Sequence, residues 1–392
     1  MQCATCTGPV NIAVIKYWGK RNEKLILPLN SSVSVTLHQN ELRTKTTIAA
    51  SPNFTKDQIW LNGVEEDINN SRLQAVISAV KRRARKRKSD GETNPRLNWK
   101  LHIVSENNFP TAAGLASSAA GYGCLVYTLA KLLNVKGELS DIARQGSGSA
   151  CRSIYGGFVT WDKGSNEDGS DSKARQIAPH THWPELAVLI LVVSDQTKHT
   201  SSTAGMQTTV ETSELLKQRL SGLQTKEDQM TEAIMNKDFK TFAEITMKES
   251  NQLHAVCLDT YPPISYMTDT SHQIIRLVHQ YNNINEDVKV SYTFDAGPNA
   301  CLFMLDSEMP RFYSLVKHFF LPENGHTTIQ GLPITEQTLH TDEIQKFKLS
   351  KQNRSVKYVI HTKPGPGPQV LEDPSEGLVD DEGWPKPISE KT

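Results

Sequence analysis

A stretch rich in glycine, alanine and serine at residues 108–123 constrains the fold more than any other part of this 392-residue chain. Ahead of it, apolar residues alternate with polar ones, as in a half-buried strand, at Leu97, Trp99, Leu101 and Ile103. Behind it, apolar residues recur at helical spacing, at Leu125, Val126, Leu129, Leu132 and Leu133. The sequence therefore predicts a strand, a loop of small residues and a buried helix in succession.

Ser117 and Ser118 lie where the first turn of that helix leaves backbone amides without partners. Such amides and the positive end of the helix dipole favour phosphate oxygens, and a serine hydroxyl at this position is able to ligate Mg2+. The stretch has neither the Gly-Lys-Ser/Thr of a Walker A loop nor the Gly-x-Gly-x-x-Gly of a dinucleotide site. It predicts an anion site of another type, and the alternative is that its small residues serve only tight helix packing.

Composition is that of an ordinary globular protein, with 37% hydrophobic residues and enough length for two domains. Lys plus Arg and Asp plus Glu both number 43, so net charge does not favour nucleic acid or an anionic membrane. The longest apolar run, residues 186–193, is too short to span a bilayer and predicts a buried strand. No signal peptide opens the sequence, and the scattered cysteines are typical of a reducing compartment.

Residues 10–20 form an apolar strand that ends in a basic and aromatic group. Lys16, Tyr17, Trp18 and Lys20 together predict a cationic pocket with aromatic walls, although an ordinary exposed strand end explains the same pattern. Further strands are predicted at 33–37, 43–49 and 58–61, the last followed by a tight Asn-Gly turn.

The helix predicted from Ser71 ends in the basic run 81–88. Such a run occurs in nucleic-acid patches, but cations also suit the C-terminal end of a helix dipole. Because no aromatic residues interleave with the charges, we favour a solvated helix end.

A second loop of small residues, 145–153, carries one arginine. Its amides and the hydroxyls of Ser147 and Ser149 are able to donate to phosphate oxygens. The planar guanidinium of Arg152 fits a carboxylate through two parallel hydrogen bonds. A flexible Gly-Ser turn is the alternative explanation.

The pattern changes after residue 185, where we predict a domain boundary and then long helices over 210–254 and 266–281. Asp295 follows the strand predicted at 288–294 and precedes a glycine turn, so it faces a cleft or forms an Asx turn. The proline-, glycine- and acid-rich residues 373–392 are predicted to be disordered.

Residues 110–118 resemble the glycine- and serine-rich loop of the galactokinase, homoserine kinase, mevalonate kinase and phosphomevalonate kinase (GHMP) superfamily. Within it, four further segments resemble the diphosphomevalonate decarboxylase family, at residues 10–20, 30–37, 146–152 and 294–299. The resemblance extends from Cys6 to about Leu371.

The resemblance implies a two-domain α+β GHMP-kinase-like fold. Residues 1–185 would form the N-terminal nucleotide- and substrate-binding domain, similar to domain 2 of ribosomal protein S5. Residues 186–372 would form a ferredoxin-like C-terminal domain. The family also implies a homodimer, without nucleic acid or membrane as a partner.

The family's activity is an ATP- and Mg2+-dependent conversion of 5-diphosphomevalonate to isopentenyl diphosphate, carbon dioxide, phosphate and ADP. Matched position by position, the resemblance implies catalytic roles for Asp295, Arg152 and Lys16. The implied substrate contacts are Tyr17, Trp18, Gly19, Lys20, Arg72, Ser147, Gly148, Ser149, Ala150, Cys151, Arg152, Ser202 and Thr203. The implied ATP contacts are Ala113, Gly114, Leu115, Ala116, Ser117 and Ser118, with Ser118 also a Mg2+ ligand.

Two other functions are compatible with parts of the pattern. A kinase of the same superfamily would stop at phosphoryl transfer, against which the segment 146–152 argues. A non-catalytic relative would use the run 81–88 to bind nucleic acid, against which both loops, Arg152 and Asp295 argue. Some relatives carry a peroxisomal signal near residues 34–42, but Glu41 replaces the His or Gln it requires, so we expect a cytosolic protein.

Overall fold

The computed structural model describes residues 1–86, 94–109, 117–194, 196, 199–322, 329–352 and 354–387. Residues 1–185 contribute strands to two sheets and a short hairpin. Their strands are β1 (Gln2–Pro9), β2 (Asn11–Ile15), β3 (Lys20–Asn22), β4 (Leu27–Pro28), β5 (Ser32–Thr36), β6 (Arg43–Ser51), β7 (Gln58–Leu61), β8 (Val64–Glu66), β9 (Lys100–Asn107), β10 (Phe158–Trp161) and β11 (Ala174–Ala178). One sheet contains β1-β6-β9-β7-β8 in that order, and the other contains β11-β10-β5-β2.

In the described part of residues 1–185, these sheets are accompanied by the α-helices α1 (Ser71–Lys86), α2 (Ser117–Leu132) and α3 (Ser140–Gly146). The predicted buried helix is confirmed as α2, which packs against β1 and β6. A Cβ atom at Gly123 would lie 2.9 Å from the Cβ of Ser153, so the helix approaches the next segment closely. Tight packing therefore accounts for the small residues inside α2, whereas Ser117 and Ser118 at its start need a separate explanation.

The C-terminal half is built on a third sheet, in the order β13-β14-β12-β16-β15. The strands after residue 185 are β12 (Leu186–Val192), β13 (Val290–Phe294), β14 (Ala300–Leu305), β15 (Ile329–Gly331), β16 (Tyr358–Thr362) and β17 (Gln369–Val370). The helices are α4 (Ser202–Thr212), α5 (Glu214–Ser221), α6 (Leu223–Asn236), α7 (Phe239–Asp259), α8 (Asp269–Ile284), α9 (Met309–Phe320) and α10 (Thr341–Ile344). The predicted strand at 186–193 is confirmed as β12, which is buried along its whole length in the middle of this sheet.

One hydrophobic core joins the two halves. It contains Val14 and Val35 from the second sheet, Ile190 and Phe303 from the third, and Phe242 from α7, all buried. Helix α7 therefore packs between strand β2 and the C-terminal sheet. Because β2 leads directly into Lys16, this arrangement brings the basic strand end against the C-terminal half.

The end of the chain returns to the first sheet. Strand β17 pairs with β1, and the carbonyl of Gly383 lies 2.9 Å from Nδ1 of His102. The ring of Trp384 packs against those of Trp60 and His102. The prediction of disorder is therefore wrong for residues 373–387, because a few apolar side chains anchor an otherwise polar segment. Residues 388–392 lie outside the described part.

Two segments fold differently from the predictions. The strand predicted from Leu97 begins later, because Pro95 and the side chain of Asn94 start a 3₁₀ helix at Pro95–Asn98. The second small-residue segment is a 3₁₀ helix, Gly148–Ile154, directly after α3, rather than an open loop. Among the described residues, no helix is both long and apolar enough to cross a membrane.

Candidate active site

A cavity of about 190 Å³ lies between the two halves of the chain. Fourteen of the residues selected from the sequence line it, namely Lys16, Tyr17, Trp18, Lys20, Arg72, Ser117, Ser118, Ser147, Gly148, Ser149, Arg152, Ser202, Thr203 and Asp295. Four cationic side chains face one carboxylate among the described lining residues. The cavity therefore suits a ligand with several negative charges.

Lys16 and Asp295 form an ion pair at the join between the two halves. Lys16 directly follows β2 and its side chain is only 2% exposed, whereas the Asp295 side chain is 27% exposed. Asp295 directly follows β13, the strand that was predicted at 288–294. The pair thus presents a partly accessible carboxylate whose orientation is fixed by a buried ammonium group.

Arg152 is held in place by two buried side chains of the N-terminal half. Its Nε donates to Oδ1 of Asn11 (3.2 Å), and its Nη1 donates to Oγ of Ser32 (2.5 Å). Burial lowers the pKa of Arg152, but a guanidinium group remains charged near neutral pH. Nη2 has no acceptor among the described residues, so it remains available to an anion in the cavity.

Tyr17 packs against the segment that carries Arg152. Its ring lies edge-on to Trp161, with centroids 4.7 Å apart, and its hydroxyl has no hydrogen-bond partner among the described residues. A Cβ atom at Gly148 would lie 2.7 Å from the Tyr17 ring. Glycine is therefore the residue that allows this close packing. Burial raises the pKa of Tyr17, so the hydroxyl stays protonated and is able to donate to a ligand.

Three more predicted residues line the cavity. Nζ of Lys20 donates to Glu23 (2.7 Å), and Nη2 of Arg72 donates to the hydroxyl of Thr203 (3.4 Å). The indole of Trp18 donates to Thr209 in α4 (3.1 Å). Since α1 carries Arg72 and α4 carries Thr203, both halves of the chain contribute to the site.

A second cavity, of about 320 Å³, shares Ser117 and Ser118 with the first. Its walls include the apolar side chains of Ile59, Leu73, Ile103 and Leu125 and the polar ones of Ser105, Asn70 and Asn107. The hydroxyl of Ser118 lies 3.3 Å from that of Ser147. The start of α2 therefore separates a polar cavity from a more apolar one. The predicted ATP contacts Ala113, Gly114, Leu115 and Ala116 lie outside the described residues.

Among the described residues, three of those selected from the sequence do not line the first cavity. Ala150 and Cys151 are fully buried in the 3₁₀ helix beneath it, and burial raises the pKa of Cys151 to about 12. Gly19 is also buried, with a φ angle of 99° that places it in the left-handed region. These residues shape the backbone around the site rather than contribute side chains to it.

The sequence analysis did not identify the residues that hold Arg152 and the backbone of Lys16 in place. Asn11 contacts Arg152 and also donates to the carbonyl of Ser149 (3.1 Å). Glu249 and Arg219, from α7 and α5, contact the backbone of Lys16. Asn11 lay within a recognised segment, but nothing in the helical pattern around Glu249 distinguished it from other helix positions.

The two-half α+β fold, with small-residue segments and a lysine–aspartate pair around a cationic cleft, defines an enzyme of the GHMP-kinase-like class. Two family models match the chain: the diphosphomevalonate decarboxylase-like N-terminal domain over residues 8–174, and the mevalonate 5-diphosphate decarboxylase C-terminal domain over residues 188–371. The chain belongs to the diphosphomevalonate decarboxylase family.

Individual relatives agree with this assignment. The diphosphomevalonate decarboxylase of Bos taurus is 57% identical over 391 residues, covering 98% of each chain. A crystal structure of mevalonate 5-diphosphate decarboxylase is 44% identical, with a TM-score of 0.86, and covers 97% of this chain and 99% of its own. A structure described as MDDEF in complex with MVAPP, AMPPCP and magnesium is 30% identical, with a TM-score of 0.73, and covers 95% and 99%.

Proposed function

We propose that the protein converts (R)-5-diphosphomevalonate and ATP to isopentenyl diphosphate, carbon dioxide, phosphate and ADP. The observation that carries this proposal is the Lys16–Asp295 pair facing the same cavity as Arg152. This arrangement offers a carboxylate to a substrate hydroxyl and a guanidinium to a substrate carboxylate. The names of full-length relatives with up to 57% identity support the same reaction.

We assign one of the two substrates to each of the two cavities. We assign diphosphomevalonate to the polar cavity, where Lys16, Lys20, Arg72 and Arg152 offset its charges. The nucleotide would occupy the more apolar cavity, with its phosphates at Ser117 and Ser118. Its transferred phosphoryl group would then lie between the two cavities. We further propose that residues 1–185 and 186–372 are the two domains and that the substrates bind in the groove between them.

Mg2+ fits this site as an ion carried by the nucleotide. The described residues contain no cluster of three or more His, Cys, Asp or Glu side chains suited to a metal. Mg2+, however, commonly keeps several waters and uses one or two protein oxygens plus substrate phosphates. The exposed hydroxyl of Ser118 would hold it, and the ion would neutralise phosphate charge. The relative in complex with AMPPCP and magnesium supports both co-substrate and metal.

A decarboxylation that forms a carbon–carbon double bond by elimination requires a leaving group on the carbon β to the carboxylate. Hydroxide leaves poorly, so ATP first phosphorylates the tertiary C3 hydroxyl. Phosphate then departs as the electrons of the breaking carbon–carboxylate bond form the double bond, and carbon dioxide is released. The two steps consume one ATP and produce one ADP, one phosphate and one carbon dioxide.

Asp295 would orient the C3 hydroxyl and accept its proton. A carboxylate is a much weaker base than an alkoxide, so it does not ionise the alcohol in advance. In a loose transition state the proton leaves late, once bonding to phosphorus has made the oxygen more acidic. Lys16 would keep the Asp295 carboxylate pointed at the hydroxyl, which is a task of orientation.

Arg152 would hold the substrate carboxylate away from the phosphates. That charge disappears when carbon dioxide forms, and strong binding of it would favour the ground state over the transition state. The fixed geometry provided by Asn11 and Ser32 suits orientation rather than tight capture. We therefore assign Arg152 mainly to orienting the carboxylate for elimination.

One assay tests the reaction. ADP and carbon dioxide are measured separately with mevalonate, its 5-phosphate and its 5-diphosphate as substrates. Equal release of both products from the diphosphate alone supports the proposal. ADP without carbon dioxide would identify a kinase. A salt-sensitive shift of DNA or RNA without ATP turnover would instead identify a nucleic-acid-binding relative.

We also propose a cytosolic homodimer without a nucleic-acid or membrane partner. In the basic run, Arg83 pairs with Asp141, which supports a surface helix end, and residues 87 and 88 lie outside the described part. The side chain of Glu41 is only 5% exposed and accepts a hydrogen bond from Thr362, so it serves the fold rather than a targeting signal. Molar mass from light scattering and fractionation of cells would test these two points.

A further inference from the structure

The backbone of Lys16 is held on both sides by a buried ion pair from the C-terminal half. Its N–H donates to Oε2 of Glu249 (3.2 Å), and its carbonyl accepts from Nη2 of Arg219 (2.9 Å). The same Nη2 donates to the same Oε2 (2.8 Å), which closes the ring of contacts. Lys16 therefore cannot shift along β2 without breaking contacts to both α5 and α7.

Burying the Glu249–Arg219 ion pair is unfavourable in one respect, because both charged groups lose their contact with water. The side chains of Glu249 and Arg219 are 0% and 2% exposed. Nε and Nη1 of Arg219 are buried without partners among the described residues. Replacing a buried ion pair by apolar residues of similar volume is often neutral or stabilising. Stability alone therefore does not explain this choice of residues.

The next residue on α7 holds the other member of the catalytic pair. The hydroxyl of Ser250 accepts from the N–H of Phe294 (3.0 Å), the residue directly before Asp295. Consecutive positions on one helix thus contact Lys16 from the N-terminal half and the strand that leads to Asp295. The separation of the two catalytic side chains is set by a single rigid element.

We infer that Glu249, Arg219 and Ser250 are positioning residues that hold Lys16 and Asp295 in register for phosphoryl transfer. This inference rests on the proposed function, because it assigns these residues to the same reaction. They do not line the substrate cavity and act only through the pair. Lys226, which donates to Oε1 of Glu249 (2.9 Å), holds the second oxygen of that carboxylate.

The first test is the Glu249→Gln variant, which keeps the shape and an acceptor for Lys16 but removes the charge that pairs with Arg219. Small displacements of reacting groups cost up to about a hundredfold in rate. We expect kcat to fall by about tenfold to a hundredfold, while KM for ATP and for diphosphomevalonate changes by less than about threefold. Glu227→Gln is the matched control, since Glu227 is buried but contacts Thr160 and not Lys16.

The second test separates positioning from general damage. If Glu249 acts through Lys16, adding Glu249→Gln to Lys16→Met leaves kcat unchanged relative to Lys16→Met alone. A merely structural residue would slow both backgrounds by the same factor, and that result would overturn the inference. Equal kcat values for Glu249→Gln and Glu227→Gln would overturn it as well.

Ser250→Ala provides an independent arm, because it removes one hydroxyl and leaves the ion pair intact. We expect a smaller fall in kcat that disappears in the Asp295→Asn background. If circular dichroism shows that Glu249→Gln is not folded, the Ser250→Ala variant decides the question. A fall in kcat of the same factor in the wild-type and Asp295→Asn backgrounds would then overturn the inference. A wild-type protein that releases ADP but no carbon dioxide would refute the proposed decarboxylation, yet the same cycles could still be measured on ADP.

Discussion

Lys16 and Asp295 are 279 residues apart in the sequence and pair directly across the join between the two halves of the chain. Each half supplies one member of the pair, since Lys16 follows β2 and Asp295 follows β13. The site therefore exists only when both halves are folded and docked. This dependence makes the pair a sensitive probe of both catalysis and domain packing.

Replacing Asp295 by asparagine keeps the size of the side chain but removes its ability to accept a proton. Positioned acid–base groups contribute about a hundredfold to ten-thousandfold to rates. We expect kcat to fall within that range, measured by separate ADP and carbon dioxide assays. Asp287→Asn, which changes an exposed aspartate, is the control and should retain full activity. Near-normal turnover by a folded Asp295→Asn protein would remove Asp295 from the mechanism.

Arg152→Gln tests the contact with the substrate carboxylate. Hydrogen bonds to charged groups contribute about 1.5–3 kcal/mol, so we expect decarboxylation to slow by roughly tenfold to a hundredfold. The slower decarboxylation should be seen with diphosphomevalonate as substrate, whereas KM for ATP should not change. Arg175→Gln is a suitable control, because that side chain is 59% exposed and far less constrained. Unchanged carbon dioxide release and unchanged substrate affinity would rule out the proposed role.

Gly148→Ala tests the packing of Tyr17. The added methyl group would lie 2.7 Å from the Tyr17 ring and 2.9 Å from Trp161, so the aromatic wall of the cavity must move. We expect KM for diphosphomevalonate to rise by about tenfold, as measured by steady-state kinetics. Gly222→Ala is the matched control, because its added Cβ meets nothing within 4 Å. Equal kinetics for the two variants would show that the wall is not needed.

The sequence predicted those elements of the fold that are specified by a few neighbouring residues. Strands β2, β5 and β7 and helix α2 follow from hydrophobic periodicity. The Asn62–Gly63 turn follows from residues that tolerate positive φ, and both adopt it, at 48° and 80°. Helix α9 and strand β16 were not identified, and β1 consists largely of small residues that give no clear period.

Site residues were predictable only where they lay in distinctive segments. Lys16, Arg152 and Asp295 each lie next to glycine, serine or aromatic residues that drew attention to them. Glu249 and Arg219 lie on ordinary amphipathic helices, and Glu249 meets Lys16 across 233 residues of sequence. Contacts between residues so far apart in the sequence depend on how α7 packs between the two halves. No pattern in the neighbouring residues predicts that packing.

Trp384→Ala tests whether the C-terminal segment stabilises the first sheet. The side chain packs on Trp60 and His102 but is 44% exposed, so only part of its area is buried. We expect a loss of roughly 2 kcal/mol in unfolding free energy, measured by urea denaturation. Trp384→Phe should recover most of it. A segment that contributes nothing would leave both variants as stable as the wild type.

His254 makes stability depend on pH. Burial, followed by the charge of Lys16, lowers its pKa from 6.5 to about 4, whereas the nearby Asp295 acts in the opposite direction. Because its pKa is depressed in the folded state, the unfolded chain binds more protons between these values. Stability is therefore lost as pH falls from about 6.5 towards 4.

The expected loss from His254 is about 2 kcal/mol between pH 7.5 and pH 5. In urea unfolding at both pH values, the free energy of unfolding of His254→Gln should fall by about 2 kcal/mol less than that of the wild type. His340→Gln, at an exposed histidine, should behave like the wild type. Other buried histidines, such as His361, also have lowered pKa values and remain in every variant, so the difference isolates His254. An identical pH dependence in His254→Gln and the wild type would show that this histidine is protonated equally in both states.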